Sequence, residues 1–385
     1  MSGVCGTDLR YDIGLLESLE PLVYDTCRLV RSLTRPPARM YIRVNTLKVS
    51  VEEYLDIARS HGITLYRDEE IPEALWHPVH GPFSIEVHDK IVVADKRASE
   101  AVMLGSDLYM PGVLSAKNVE AGDLVTIVAP NGIPVASGRA VTSLRHGRLF
   151  SRGTAVKVEE SMYKAIRTQN LPGYEEGLVY GQSLPSMYVA RILDPKPGEL
   201  IVDMTAAPGG KVSHIAQLAG PDANILAVDR KSKVEKLRLV LKRLGLNWVN
   251  VVSGDSRYLS RDMPKLRGRV DAVVVDPPCS NLGVIPKILD ELRLSDVISY
   301  SLYQRQFINE AWRLLKKGGR LIYSTCTLTY LENEYLVKYA IDLGFELAEP
   351  LQWISRGSKG LYGLRFHPHQ HGTPGFFLSW ILYKA

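Results

Sequence analysis

The chain has 385 residues, more than one hydrophobic core usually organises, so two or three domains are expected. Its 45% hydrophobic content suits globular folding, and 47 basic against 42 acidic residues leave a net charge of +5, which permits a polyanionic partner without demanding one. The N-terminal MSGVCGTDLRYDIG lacks a basic region followed by an apolar core, and no stretch approaches about 18 uninterrupted apolar residues, so a soluble, cytoplasmic protein with no membrane partner is expected. The cysteines are Cys5, Cys27, Cys279 and Cys326, with no CxxC pair. They are too few and too scattered for a disulfide framework or a zinc site, so all four are expected to be reduced thiols, with no metal.

Three segments follow one another. Residues 1–89 hold an amphipathic helical start and then YIRVNTLKVSVEEYLDIARSHGI, a strand followed by a helix. They read as an α+β extension of a catalytic part, interrupted by what comes next. Residues 90–165 change character to short strands and Gly-punctuated turns, as in AGDLVTIVAPNGIPVASGRAV, and read as a small β module. Residues 166–385 alternate apolar runs with helical patterns, the signature of a doubly wound α/β sheet. Strands are expected at Leu200–Met204, Ile225–Asp229, Val249–Ser253, Val270–Asp276 and Arg320–Ser324, helices at Val234–Leu244 and Gln304–Leu315, and an edge strand at Gly375–Leu382.

The first of these strands runs into DMTAAPGGKVSHIAQLAG, where Pro208, Gly209 and Gly210 allow a tight turn and close approach of the backbone to a ligand. The free N–H groups of the helix that begins there suit the carboxylate of a bound amino-acid moiety. A Walker A loop is excluded because Thr205 and Val212 stand where it needs Gly and Ser or Thr, and a GxGxxG fingerprint is absent. Asp229, Asp255 and Asp276 recur at successive strand ends, where open parallel sheets bind ligands. Asp229 is placed to hold ribose hydroxyls and Asp255 an adenine amine.

Two thiols share that crevice, Cys279 in DPPCS at the end of the fourth strand and Cys326 in STCT at the end of the fifth. Carbon 5 of cytosine is too weak a nucleophile to take a methyl group from a sulfonium. A thiolate adding at carbon 6 turns it into an enamine that can, after which a base removes the carbon-5 proton and the thiol leaves. Asp276 would hold the amine and N3 edge of the base, and cationic Lys211 would favour the thiolate.

TAAPGGK, DPPCS and STCT, in that order and spacing, resemble the Nop2/Sun (RsmB-like) family of RNA 5-methylcytosine methyltransferases, as does RVNTLK at Arg43 to Lys48. The resemblance implies Cys326 as the covalent nucleophile, Cys279 as an aid to product release, and S-adenosylmethionine as cofactor. It implies cofactor contacts at Thr205, Ala206, Ala207, Pro208, Gly209, Gly210, Lys211, Asp229, Lys233, Asp255 and Asp276. One departure is HGTPGFF, with Pro374 where the family often has Asp. The middle segment resembles a PUA domain, an RNA-binding β-barrel, through VVADKRASEAVMLGSDLYMPGV, AGDLVTIV and VASGRAV, with Ala98, Gly105 and Arg139 in the matching stretches. The implied fold is a Rossmann-like class I methyltransferase sheet with an N-terminal α+β extension and an inserted PUA-like β-barrel. The combination is similar to NSUN6-type enzymes, which methylate tRNA near the 3′ end of the acceptor stem. That makes tRNA the expected partner and no obligate protein partner evident; ribosomal RNA and a non-catalytic assembly role are the alternatives.

Weaker signals remain. Lys231, Lys233, Lys236, Arg238, Lys242 and Arg243 read as a solvated helix face, whereas Arg97, Lys117, Arg139, Arg145, Arg148 and Arg152 are candidates for phosphate contacts. His367, His369 and His371 lack a fourth ligand or nearby carboxylate and read as a loop beside the nucleophile rather than a metal site. Tyr180, Gln182 and Ser186 are placed either in an RNA cleft or in a helix cap and core.

Overall fold

The structure, a computed structural model, describes residues 3–144, 152–348 and 353–384. Among the described residues its largest sheet has nine strands; eight follow the order Asn250–Ser253, Asn224–Asp229, Leu200–Asp203, Val270–Val275, Leu315–Thr325, Phe376–Tyr383, Gly363–Phe366 and Ser358–Gly360, and the ninth, Phe345–Leu347, lies off this path. The first five are parallel and the rest antiparallel. The strands are continuous apolar runs because both faces are covered. Along VDAVVV, Ala272 and Val274 enter the core on one face and Val273 and Val275 the core on the other. Helices Leu184–Leu193, Gly210–Ala219 and Lys231–Leu244 fill the first face, and Leu294–Leu314 and Glu334–Asp342 the second. Strand order reverses beside Leu200–Asp203, so the crevice outside its carboxyl end is where such a sheet takes a ligand.

Two expected boundaries shift. The helix expected from Gln304 starts ten residues earlier, at Leu294, and the strand expected from Arg320 begins at Leu315, its Lys-Lys-Gly-Gly stretch having hidden the continuation. The last strand is not an edge. Phe376–Tyr383 lies between Leu315–Thr325 and Gly363–Phe366 and also pairs with Phe345–Leu347. Gly363–Phe366 and Phe345–Leu347 are four and three residues long, too short to carry a readable alternation.

The N-terminal segment forms a four-stranded antiparallel sheet whose outer strand, Val179–Gly181, comes from beyond the β module. The RVNTLK element welds this sheet to the catalytic one. Asn45 Nδ2 donates to the carbonyls of Gly177 and Leu244, each at 2.9 Å, and Lys48 Nζ to those of Glu176 and Arg243, at 2.6 and 2.9 Å. Gln217 Nε2 reaches Thr46 Oγ1 at 2.8 Å.

The middle module is a six-stranded sheet running from Ile91–Ala94 to Thr154–Ser161. It docks on the segment that follows Cys279: Ile288 is buried in the module's own core, and Lys96 Nζ pairs with Asp290 at 2.5 Å. Lys287 meets the same carboxylate at 2.9 Å. Asp290–Leu292 in turn pairs in parallel with Leu9–Tyr11, and the layer beneath buries Leu9, Leu15 and Leu29 against Leu282 and Leu328. The two residues last named follow the two cysteine motifs, so the N-terminal layer supports both.

The expectation of four free thiols is corrected here. Cys5 and Cys27 are joined in a disulfide, because the turn before Leu9–Tyr11 folds back onto the start of helix Thr26–Leu33 and brings their Cα atoms to 5.3 Å. Pairing depends on that spatial distance, not on sequence spacing. Closing a loop with a sequence separation of 22 residues stabilises by about 3 kcal/mol in the chain-entropy account. Reduction, or Cys27→Ser, is expected to lower the urea midpoint accordingly; an unchanged midpoint would contradict a stabilising bridge.

Candidate active site

Cys279 and Cys326 stand at adjacent strand ends with their Sγ atoms 3.3 Å apart. Each motif position around them has a separate task. In STCT, Ser324 Oγ donates to Asp276 Oδ1 at 2.9 Å, Thr325 Oγ1 donates to Asn333 at 2.5 Å, and Thr327 Oγ1 meets Ser280 Oγ at 2.7 Å. Of the STCT side chains only Cys326 is left facing the crevice, half-buried, and Cys279, buried, borders the same crevice beside it. Glu332, fully buried, holds the DPPCS turn by accepting from Ser280 N at 2.9 Å and Ser280 Oγ at 2.6 Å, and from Gln304 and Thr329.

Beneath the thiols lies an ion pair. Lys211 Nζ is 2.5 Å from Asp276 Oδ2, and Asp276 N donates to Thr205 Oγ1 at 3.0 Å. Burial opposes the charge on Lys211, but Asp276, with the fields of Cys326 and Asp203, outweighs it and raises its pKa, so the lysine stays cationic. Burial, with Asp276 and Asp229 nearby, pushes the Asp203 carboxyl up to about 7. The hydrogen bond with Cys326, then burial, then Glu332 raise the Cys279 thiol well above its ordinary range. At neutral pH Cys279 is a thiol, not a thiolate.

A cavity of about 340 Å³ opens from the thiols along the strand ends. Thr205, Ala207, Asp229, Lys233, Asp255, Asp276, Cys279 and Cys326 line it together. Ala206, Pro208, Gly209, Gly210 and Lys211 are not in its lining. Ala206 is buried behind the strand end, Pro208 and Gly209 shape the turn, and Lys211 sits under Asp276. Gly209 is required by its φ of +117° and because a Cβ there would lie 3.1 Å from Val240 and 3.2 Å from Leu237.

Residues 190–382 match the family model described as 16S rRNA methyltransferase RsmB/F, and residues 90–162 match the PUA domain. A tRNA (cytosine(72)-C(5))-methyltransferase of Pyrococcus horikoshii is 41% identical over 358 residues, covering 91% of each chain. The chain belongs to the RsmB/F (Nop2/Sun) family. Mouse NSUN6, a tRNA (cytosine(72)-C(5))-methyltransferase, is 32% identical over an alignment of 351 positions that covers 81% of this chain and 73% of the mouse protein. The crystal structure of NSun6 from P. horikoshii with SFG, an S-adenosylmethionine analogue, superposes with a TM-score of 0.89 at 39% identity, covering 97% of this chain and 99% of that one. As an RsmB/F-family protein the chain is an S-adenosylmethionine-dependent RNA cytosine-5 methyltransferase with a class I fold and a PUA domain.

The RsmB/F cavity fits that cofactor by its donor set. Asp229 accepts from Ala207 N at 2.9 Å and from Arg230 N at 2.7 Å, which fixes the carboxylate and leaves further lone pairs for hydroxyls. Tyr303 and Phe307 supply aromatic walls. Lys233 lies 3.8 Å from Asp229 and is half-exposed. Asp255 is at the cavity, but Arg257 already occupies both of its oxygens, through Nε at 2.8 Å and Nη2, and holds its pKa down.

Sequence reasoning missed several members of this site. Asn281, Arg230, Arg257, Tyr303 and Phe307 line or brace the cavity without belonging to any quoted motif. Their signal, aromatic residues at i and i+4 on a helix, is indistinguishable from core packing. Arg43, the first residue of RVNTLK, is fully buried under the Gly-rich turn and donates to Gly210 O at 2.9 Å and Ser213 Oγ at 2.7 Å. Its guanidinium also takes Gln182, and Tyr180 packs on Gly210, so these two brace the turn from inside the fold. Gln182 Nε2 donates to the Ser186 carbonyl at 3.2 Å.

Arg243 likewise leaves the solvated face: it stacks 4.0 Å over the Tyr174 ring and donates to the Val179 carbonyl at 3.2 Å. In the PUA module Arg97, Lys117 and Arg152 are exposed, and Arg139 is engaged by Glu159 and by the Gly122 carbonyl. Arg145 and Arg148 lie outside the described residues. His371 Nδ1 accepts the His367 N–H at 2.8 Å, and among the described residues no cluster of His, Cys, Asp and Glu is arranged to hold a metal. Among them, too, no helix is long and apolar enough to cross a membrane.

One buried cluster links the N-terminal extension to the cofactor helix. Glu73, 1% exposed, binds fully buried His214 and Arg191. Burial works against the Glu73 carboxylate, but hydrogen bonds from His214 and Arg191 prevail and bring its pKa down to about 2. Burial, with Arg43, lowers His214 to about 4. Both groups bind protons more weakly folded than unfolded. Their stabilisation is therefore complete above pH 6.5 and is lost as pH falls, first through His214 down to about 4, then through Glu73 between 4.5 and about 2. The thermal midpoint is expected to be level above pH 7 and to fall steadily from 6.5 to 4; a level midpoint down to 4.5 would contradict this. Glu73→Ala is expected to cost about 3–5 kcal/mol, the usual penalty for breaking a buried pair.

Proposed function

We propose that this enzyme methylates carbon 5 of a cytosine in the tRNA acceptor stem near the 3′ end, at a position of the 72 type, with Cys326 as covalent nucleophile. The observation that carries the chemistry is the pair of thiols 3.3 Å apart at the mouth of the cavity, one half-exposed and one buried. The choice of RNA is supported by similarity over 91% of each chain to one protein named as a tRNA (cytosine(72)-C(5))-methyltransferase and over 81% of this chain to another, and by the PUA module.

S-adenosylmethionine, when bound, would supply the methyl group from its sulfonium; Asp229 would hold it, with Thr205, Ala207, Asp255, Lys233, Tyr303 and Phe307 as the surrounding walls. Cys326, beside cationic Lys211, gives its proton up to solvent, and its sulfur bonds to carbon 6 and leaves carbon 5 electron-rich. Asp276, fixed on one side by Lys211 and on the other by Ser324, would accept from the amine of the base, and the Lys211–Asp276 pair would relay a proton to N3 as the ring takes up electrons. After methylation the carbon-5 proton passes to solvent water in the open cavity and the carbon–sulfur bond breaks. Cys279, kept protonated and 3.3 Å from the leaving sulfur, is placed to pass a proton to it and to regain one from solvent.

The test is to incubate the protein with S-adenosylmethionine and total RNA, then map 5-methylcytosine by mass spectrometry of nuclease fragments. New label is expected in an acceptor-stem fragment of tRNA. Label confined to ribosomal RNA fragments would overturn the substrate, and no label in any RNA would overturn the activity.

A further inference from the structure

We propose that Asn281 is a positioning residue for the nucleophile: its carboxamide accepts the Cys326 S–H in the resting site and, turned about, donates an N–H to the Cys326 thiolate. The proposal rests on Cys326 being the nucleophile.

The loop leaves Asn281 little freedom except in its side chain. It follows the DPPCS turn with a φ of +57°, a left-handed conformation that Asn tolerates better than most residues. The backbone is pinned on both sides. Ser280 is held by Glu332, and Gly283 N donates to the carbonyl of Cys326 itself at 2.9 Å. Gly283 also lies so close to Gly375, whose N–H reaches its carbonyl at 2.7 Å, that a Cβ on Gly283 would meet the Gly375 carbonyl oxygen at 2.4 Å. Such a clamp fixes where the Asn281 amide hangs, at the exposed rim of the cavity and touching both thiols. Its Oδ1 is 3.0 Å from Cys326 Sγ and 3.6 Å from Cys279 Sγ.

A carboxamide carries an acceptor and two donors on one rotatable group, and an exposed one is free to turn. An S–H is a weak donor, whereas an N–H donated to a thiolate is charge-assisted and the stronger of the two bonds. The amide therefore favours ionisation on balance. The other groups facing Cys326 are Cys279, which shares the same oxygen, and cationic Lys211 with Asp276 paired to it; Asp203 bears on Lys211 and Glu332 lies on the far side of Cys279. Lys211 acts through charge, and Asn281 acts at contact.

The experiment is alkylation of the folded full-length protein by iodoacetamide from pH 6 to 10, with the modified cysteine identified by peptide mass spectrometry. In Asn281→Gly, which keeps the left-handed backbone, the Cys326 profile is expected to move up by about one pH unit, so that the rate at pH 7 falls about tenfold while the high-pH plateau stays. Asn281→Asp, an acceptor with no donor and with a negative charge, should move it further. Single-turnover methylation at pH 7 should fall with the alkylation rate, with KM for tRNA nearly unchanged. A Gly profile that coincides with the parent, or moves down, overturns the proposal, because a merely structural role would not shift the titration upward. If Cys326→Ala is inactive and the Gly profile is unmoved, only the role of Asn281 fails; if Cys326→Ala still methylates, the nucleophile reading beneath it fails.

Discussion

Cys326→Ala is expected to lower methyl transfer by at least about 10³-fold, because without the sulfur adduct carbon 5 of cytosine has no route to nucleophilic character. The loss should be in turnover rather than in folding. Cys326 is only half-buried, and the hydrogen bonds that shape its strand end belong to Ser324, Thr325 and Thr327, which the substitution leaves in place. Incorporation of labelled methyl into tRNA, read beside the thermal midpoint, separates the two. Turnover within tenfold of the parent in a folded variant would remove Cys326 from the nucleophilic role.

Cys279→Ala has a different expected outcome. The first addition needs Cys326, Lys211 and Asp276, all intact in this variant, so a carbon–sulfur bond should still form. What is lost is the proton source 3.3 Å from the leaving sulfur. Steady-state turnover should stop after about one equivalent, and a protein–RNA band should persist on a denaturing gel. The doubly substituted protein should show no such band. Free multiple turnover by Cys279→Ala would mean that the buried thiol is structural, filling space beside Tyr300 and Glu332.

The parts of this site legible in the sequence were those that chemistry ties to a strand end. Asp229, Asp276, Cys279 and Cys326 each close a run of β-branched or apolar residues, and a parallel sheet gathers such ends into one crevice. The PUA module was visible for a different reason, since the change from helix-spaced to turn-punctuated sequence near residue 90 marks a change of fold. What the sequence concealed depends on distance in space. Cys5 and Cys27 read as unrelated thiols because only the fold-back of the N-terminal turn brings them together. Asn281 belongs to none of the motifs, and its interest lies in a neighbour 45 residues away. Glu332 and Glu73 each organise a buried network, yet as isolated acidic residues neither differs from a solvated one until its donors are in view. RVNTLK carried the opposite lesson: a motif beside an active site whose Arg, Asn, Thr and Lys are taken up in holding two sheets together.

The most direct test of covalent catalysis by Cys326 is to trap the Cys279→Ala adduct on tRNA, digest protein and RNA, and sequence the cross-linked peptide by tandem mass spectrometry. A methylated cytidine is expected on the peptide that contains Cys326, joined through its sulfur. A cross-link at any other residue, or the absence of an adduct while methylated tRNA accumulates, would contradict it.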